Sequence, residues 1–178
     1  QRTRRARPVP RFAFVIDPMS DNTVARLQAL HDQLVLDTSP NARYNNIVQF
    51  AAAEFKVPMA LISLVDNGRQ WFKAGVGMED GETAHDIPFC SHVLLTPNAM
   101  VVPDALEDDR FKGHPLVLGA PHIRFYAGAR LQLPGGETIG TLCVMDLQPR
   151  KFQPAELLAL EALRSLVVKQ LTNVAVIL

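Results

Sequence analysis

The stretch HDIPFCSHVL holds the side chains of this chain that are best suited to chemistry. Cys90 stands five residues after His85 and two residues before His92. A thiol becomes reactive when a nearby cation or a helix N-terminus lowers its pKa, so Cys90 could be a redox-sensing thiolate or a point of covalent attachment. The alternative is packing between Phe89 and Val93, because free cysteines are among the most buried residues. From the sequence we favour packing.

The histidines raise the further question of a metal site. A structural or catalytic metal needs three or four ligands, which could come from His85, Cys90 and His92, with His114 or His122 at a distance. Their spacings match no standard zinc pattern. We therefore predict no metal ion.

The run VVPDALEDDRF is rich in carboxylates and ends in a basic residue. Its acids could form one wall of a ligand pocket. As a structural element, Asp104 would cap a short turn, and Arg110 would tie the segment to its acids by ion pairing. We favour the structural interpretation, because such clusters usually satisfy backbone amides in irregular segments.

A strand-like segment, RFYAGARLQL, places Arg124, Tyr126 and Arg130 on one face. Guanidinium groups suit an anionic ligand such as a carboxylate or phosphate, although pairing with the acids above is the alternative. Trp71 could stack on a ligand or simply be a half-buried edge-strand aromatic. The predicted ligand-binding set is Trp71, Cys90, His92, Asp104, Arg124 and Tyr126, and no catalytic residue is predicted.

These side chains belong to a chain that suits one compact domain. It has 178 residues, of which 48% are hydrophobic and 20% charged. Five of the 18 basic residues are arginines within residues 1–11, so the remaining 13 face 18 acidic residues. The excess of acidic residues in the remainder of the chain disfavours binding to the phosphate backbone of a nucleic acid. We expect residues 1–19 to be a flexible basic leader or linker, and residues 20–178 to be the domain.

Other sequence features concern the compartment. No apolar run reaches eighteen residues and no signal-peptide pattern opens the chain, so we expect no membrane span. Two cysteines far apart give no disulfide framework, which favours the cytoplasm. The last residues, NVAVIL, carry no helix-ending signal, and we expect the natural polypeptide to continue.

Periodicity predicts the order helix, helix, hairpin, irregular crossover, hairpin, helix. The strands of the hairpins are predicted at MALISLVD, RQWFKAGVG, RFYAGARLQL and TIGTLCVMD, with a brief strand in AMVVPDAL. The helices are predicted over residues 21–36, from Pro40 to before Pro58, and from Pro154 to the end. This order indicates an α+β fold with an antiparallel sheet. The last helix is apolar over more than one face, which indicates a second partner.

Six motifs in a fixed order resemble the GAF domain of bacterial sensor histidine kinases and of diguanylate cyclase or phosphodiesterase proteins. They are VPMALISLVD, WFKAGVG, FCSHVL, VVPDALEDDRF, IRFYAGARL and IGTLCVMDLQPR. The resemblance implies a sheet of about six strands. The N- and C-terminal helices would cover one face, and irregular crossover segments would enclose a small-molecule pocket on the other. It also implies a homodimer through the terminal helices and an output kinase or cyclase domain in cis, in two-component or cyclic di-GMP signalling.

The resemblance leaves the ligand and any cofactor unidentified. The Asn-Lys-x-Phe-Asp-Glu signature of cyclic-nucleotide GAF domains is absent, and Ser91 separates Cys90 from His92, which disfavours bilin attachment. The two cysteines do not reproduce the motif of the free methionine-R-sulfoxide reductases. We therefore expect a non-catalytic sensory domain that binds a small molecule. The alternatives are a thiol-based redox sensor or reductase that uses Cys90, and a structural dimerisation module without a ligand.

Overall fold

The computed structural model describes residues 42–66, 69–77, 82–83, 88–96 and 99–176. The predicted leader, the predicted helix over 21–36 and His85 lie outside the described residues. In chain order the elements are α1 (Ala42–Phe55), β1 (Met59–Asp66), β2 (Arg69–Val76), β3 (Glu82–Thr83), α2 (Pro88–Leu95), β4 (Met100–Val102), a 3-10 turn (Ala105–Glu107), α3 (Pro115–Leu118), β5 (Phe125–Gln132), β6 (Thr138–Asp146) and α4 (Pro154–Val176).

The strands form one six-stranded sheet in the order β3-β2-β1-β6-β5-β4, and every described pair is antiparallel. The predicted α+β fold with about six strands is therefore confirmed. Two details differ from the prediction. Residues 78–89, whose polar composition predicts a loop, contain β3, which makes β2 an interior strand. The sequence predicts a short helical turn over residues 90–95, and α2 begins two residues earlier, at Pro88.

The helix α1 covers the sheet with the stripe that its periodicity predicts. Tyr44, Val48, Ala51 and Phe55 are buried at a spacing of three or four residues. The helix ends at Lys56, whose φ of 51° is left-handed. The Lys56 and Val57 amides donate to the carbonyls of residues 53 and 52, which satisfies the last turn before the chain enters β1.

The helix α4 lies on the same sheet face as α1 and contacts it. Its residues Leu160, Leu163, Val167 and Leu171 are buried with the apolar side chains of β1, β5 and β6. The predicted arrangement, with the C-terminal helix on the helix-covered face, is thus observed for α4 and α1.

The opposite sheet face is covered by α2, the 3-10 turn, α3 and the segment between the 3-10 turn and α3. Alternation along β5 assigns its side chains to the two faces: Phe125, Ala127 and Ala129 face α1 and α4, while Tyr126 faces the crossover. The side chains buried on this second face are called the crossover cluster: Met59, Leu61, Phe72, Phe89, Cys90, Val93, Met100, Val102, Ala105, Phe111, Val117, Ile123, Tyr126, Cys143 and Met145.

The segment between β4 and β5 was predicted to be irregular, and it contains only short helical turns. None of the helices in the described ranges combines the length and apolar composition that a bilayer crossing requires.

Candidate functional site

Two thiols and a phenol meet at the centre of the crossover cluster. Cys143 projects from β6, in the middle of the sheet, and Cys90 approaches it from α2 with 3.9 Å between the two Sγ atoms. The Tyr126 hydroxyl donates to the Cys90 Sγ at 3.5 Å. The register explains the meeting, because Cys143 pairs with Gly128, two residues after Tyr126 on β5. Both cysteines are free thiols.

Aromatic rings enclose this group. The Phe89 ring stacks on the Tyr126 ring at a centroid distance of 4.9 Å and an angle of 14°. Phe111 also packs against Phe89, at a centroid distance of 4.4 Å. The exposed fraction of all three aromatic side chains and of both cysteines is 0%. The thiols therefore lie in dry, apolar surroundings.

These surroundings keep Cys143 and Tyr126 in their neutral forms. The hydrogen bond with Cys90 and then burial raise the pKa of the Cys143 thiol well above its ordinary value. Burial, and next the nearby cysteines, raise the pKa of the Tyr126 hydroxyl. At neutral pH Cys143 is thus a thiol and Tyr126 a phenol, so neither is an activated nucleophile or base.

A polar rim formed by His92, Asp108 and Arg110 borders the crossover cluster at Phe111. The His92 imidazole meets the Phe111 ring edge-on at 5.0 Å, and the Arg110 guanidinium lies over the same ring at 5.0 Å. Asp108 holds that guanidinium by two hydrogen bonds, at 3.0 Å to Nε and 2.7 Å to Nη2. The rim thus has a fixed cation beside an imidazole.

Electrostatics at the rim favour a neutral imidazole. Burial is the main cause that lowers the pKa of His92, the Arg110 charge lowers it further, and Asp108 opposes both. The paired guanidinium in turn lowers the pKa of the Asp108 carboxyl. A neutral His92 can both donate and accept a hydrogen bond, which suits recognition of a polar ligand.

Two residues of the predicted ligand-binding set have local structural contacts. The Asp104 carboxylate accepts from the Leu106 amide at 3.1 Å and caps the 3-10 turn, as the structural interpretation expects. Arg124 Nη1 donates to the carbonyls of Val117 at 2.8 Å and Ile123 at 3.1 Å. A ligand role for either residue stays a prediction. Of the acids in VVPDALEDDRF, Asp108 forms the expected ion pair with Arg110.

The structure brings Cys90, His92 and Tyr126 of the predicted set to one sheet face. Trp71 lies on β2, opposite Leu64 of β1, and its side chain is outside the described part of the chain. His114 caps α3 through its Nδ1 atom, which accepts from the Leu116 amide. Within the described ranges, no three His, Cys, Asp or Glu side chains gather in a way that could hold a metal ion.

Comparison with known proteins identifies the family. A family model described as GAF domain matches residues 39–171, which is most of the chain. The chain belongs to the GAF domain family. The motif order in the sequence, the six-stranded sheet and the position of α1 and α4 all agree with this assignment.

This GAF domain is similar to part of a larger protein. It is 41% identical over 124 residues to a cyclic di-GMP phosphodiesterase of Pseudomonas aeruginosa, a match that covers 69% of this chain. The chain spans about a fifth of that protein, because the match covers 21% of its length.

Solved structures show the same fold at low identity. A free methionine-R-sulfoxide reductase of Neisseria meningitidis, solved with its substrate, aligns with a TM-score of 0.63 at 15% identity, over 85% of this chain and 90% of that one. The GAF domain of an Acinetobacter phosphoenolpyruvate-protein phosphotransferase aligns with a TM-score of 0.57 at 18% identity, over 89% and 95%. These likenesses establish the fold of the GAF domain and not its chemistry.

Sequence reasoning finds two contributors to the site in this GAF domain only in part and misses a third. It predicts core packing for Cys143, between Leu142 and Val144, and leaves a disulfide with Cys90 open; the structure places the two sulfurs 3.9 Å apart. Asp108 is one of the acids that could form a pocket wall, and Phe111 is not predicted as a site residue. For Cys143 a signal existed, because strand alternation puts it on the face opposite Leu142 and Val144. No local signal marks Phe111.

Proposed function

We propose that this GAF domain is a non-catalytic sensory module of a bacterial signal-transduction protein. It binds a small molecule on the crossover side of the sheet and relays the event through a dimer of its terminal helices to an output domain in cis. The two-sided apolar surface of α4 is the observation that supports the relay most directly. The cytoplasm is the compartment that this proposal assumes.

The ligand site we propose begins at the polar rim. His92 and Arg110 supply polar contacts there, and Cys90 and Tyr126 lie behind Phe89 and Phe111, in the layer next to the sheet. Because Cys90, Phe89 and Tyr126 are fully buried, contact of a ligand with this layer requires α2 to move outward. Such a movement would couple occupancy to the packing of the domain as a population shift.

The relay we propose uses a second copy of the chain as the partner of α4. One face of α4 is buried against the sheet, yet Leu158 and Leu166 have exposed fractions of 67% and 48%. They stand eight residues apart and therefore on one helix face. Ala162 lies between them on the same stripe and is also exposed. An apolar stripe of this kind suits packing against the same helix of a second protomer.

The output we propose acts in bacterial second-messenger or phosphorelay signalling. The sequence similarity to a fifth of a cyclic di-GMP phosphodiesterase supports a cyclic di-GMP phosphodiesterase or cyclase output, and a histidine kinase is the alternative output. On this proposal the GAF domain itself turns over no substrate.

The relay is tested by light scattering on the purified chain at increasing concentration. We expect a dimer, and we expect Leu158→Glu combined with Leu166→Glu to give a folded monomer. Leu118→Glu is the matched control, because Leu118 is 61% exposed but lies on α3. A wild-type monomer at high concentration, or a dimer that persists in the double variant, would contradict the relay through α4.

The ligand site is tested by thermal shift with defined probes: cyclic di-GMP, cyclic GMP, cyclic AMP, single amino acids, haem, biliverdin and divalent metal ions. A compound that binds only the folded domain must raise its melting temperature with dose. We expect one class to do so, and we expect His92→Gln to weaken that shift. If none of these probes shifts the melting temperature while the domain is dimeric, the purely structural dimerisation module is the better description.

A further inference from the structure

The pair of buried thiols carries an inference that goes beyond the proposed function, because it needs neither a ligand nor a dimer. We propose that Cys90 and Cys143 form a reversible intramolecular disulfide when a hydroperoxide oxidises the domain, and that this bond fixes α2 to β6. The sequence leaves a disulfide between Cys90 and Cys143 open, and the structure supplies the contact between the two sulfurs.

The geometry supplies a resolving thiol at contact distance. The two Sγ atoms are 3.9 Å apart, and a disulfide needs about 2.05 Å, so the sulfurs must approach further. Cys143 is fixed, because β6 is paired on both sides, with β1 and with β5. The approach therefore comes from α2, a single helix of eight residues that rests on the sheet mainly through side-chain contacts.

The apolar surroundings favour this product over a charged one. A disulfide is neutral, so it replaces two thiols in the crossover cluster without placing a charge among Phe89, Phe111 and Tyr126. A monovalent soft metal ion held by two thiolates would instead leave a net negative charge in the same dry position. Arg110 is engaged with Asp108 at the rim and does not offset such a charge.

The chemical step balances with hydrogen peroxide as the oxidant. The Cys90 sulfur attacks one peroxide oxygen, an S–O bond forms, the O–O bond breaks, and water leaves after proton transfer. Cys143 then attacks the Cys90 sulfenic acid, the S–S bond forms, and a second water leaves with the Cys143 proton. The two thiols together lose two electrons, and one hydrogen peroxide molecule is reduced to two water molecules.

Cys90 is the attacking thiol in this assignment. Cys90 lies on α2, which must open for peroxide to enter, whereas Cys143 lies on β6, which is paired on both sides. The Tyr126 hydroxyl donates to the Cys90 sulfur and also interacts with Cys143, so it supports negative charge at either thiol. Both thiols are fully buried, so peroxide reaches them only when α2 opens locally, and oxidation is slow compared with that of an exposed thiolate. The bond would also fix His92, which lies on α2 two residues after Cys90, at the rim of the proposed ligand site.

Intact-mass spectrometry of the purified, fully reduced chain tests the proposal. The chain has only two cysteines, so any intramolecular disulfide must join Cys90 to Cys143. After hydrogen peroxide treatment in native buffer we expect a loss of about 2 Da, both cysteines protected from alkylation in denaturant, and full reversal by dithiothreitol. Hydrogen exchange of the amides of α2 should slow in the oxidised form.

Two controls make the result decisive. Cys90→Ser and Cys143→Ser should each abolish the change of about 2 Da, which is the mass of the two hydrogen atoms that disulfide formation removes. Should either variant fail to fold, wild type treated in urea gives the comparison, because an unfolded chain has no preformed contact. The proposal is overturned if native wild type gains oxygen on cysteine without a crosslink, forms only intermolecular disulfides, or crosslinks only in urea.

Discussion

The ring of Tyr126 lies over the α-carbon of Gly128, two residues further along β5. A Cβ atom at position 128 would come within 2.8 Å of the Tyr126 Cε1 and Cζ atoms and closer still to its hydroxyl oxygen. The missing side chain of Gly128 thus gives Tyr126 room to lie flat beneath Phe89, with its hydroxyl at Cys90. This relationship fixes the position of the Tyr126 ring in the crossover cluster.

We expect Gly128→Ala to destabilise the domain by about 1–3 kcal/mol, because the added methyl group must displace a packed ring. Urea unfolding measures the change. Gly113→Ala is the matched control, since a Cβ there would meet nothing within 4 Å. In a Tyr126→Leu background the cost of Gly128→Ala should shrink, and an undiminished cost would show that the ring is not the obstacle.

The end of α1 offers a stabilising substitution. Lys56 adopts a φ of 51°, a conformation that glycine adopts without the steric cost of a Cβ atom. We expect Lys56→Gly to raise the free energy of unfolding by about 0.5–1 kcal/mol, after the greater entropy of glycine in the unfolded chain is deducted. Lys56→Ala keeps the Cβ atom and should bring no gain. Equal effects of the two variants would point to the lysine side chain instead.

The rim histidine should make stability depend on pH. The folded pKa of His92 lies below the ordinary 6.5, so the unfolded chain binds more protons as the pH falls through that value, and the free energy of unfolding falls with it. Urea titrations at about pH 7 and about pH 5 lie on either side of that value. Between them the free energy of unfolding should decrease less for His92→Gln than for wild type.

The acid at the rim titrates in a separate window, which helps to isolate His92. The folded pKa of Asp108 is below the ordinary 3.8, so its contribution is lost only as the pH falls below that value. Asp108→Asn should therefore change the acid limb, and it should keep or enlarge the loss between neutral and mildly acidic pH, because Asp108 opposes the lowering of the His92 pKa. A wild-type pH profile identical to that of His92→Gln would refute the assignment.

Arg150 joins three elements on the helix-covered side. Its Nη1 donates to the Phe55 carbonyl at 2.5 Å, its Nη2 bonds Glu156 at 3.1 Å, and its guanidinium lies over the Phe125 ring at 5.5 Å. We expect Arg150→Lys to cost about 1–2 kcal/mol, because an ammonium cannot reproduce the planar fork. Lys151→Arg, at an exposed neighbour, should be neutral in the same unfolding assay. A neutral Arg150→Lys would reduce the contact to a surface ion pair.

The sequence by itself determined most of the elements, though not β3, and the face on which most side chains lie. Alternation along β5 separates Phe125 from Tyr126, and the stripe from Tyr44 to Phe55 marks the buried face of α1. These patterns are local, since the periods of strands and helices act over a few residues. The capping role of Asp104 was predictable for the same reason, because its partner is two residues away.

Only the tertiary structure decided which side chains form the site. Cys90 and Cys143 are 53 residues apart in the chain, and their contact follows from the packing of α2 on a particular strand of the sheet. Similarly, Phe111 becomes the meeting point of His92 and Arg110 only when the crossover folds over the sheet. Contacts of this kind depend on how separate elements pack, and residue spacing carries no record of that packing.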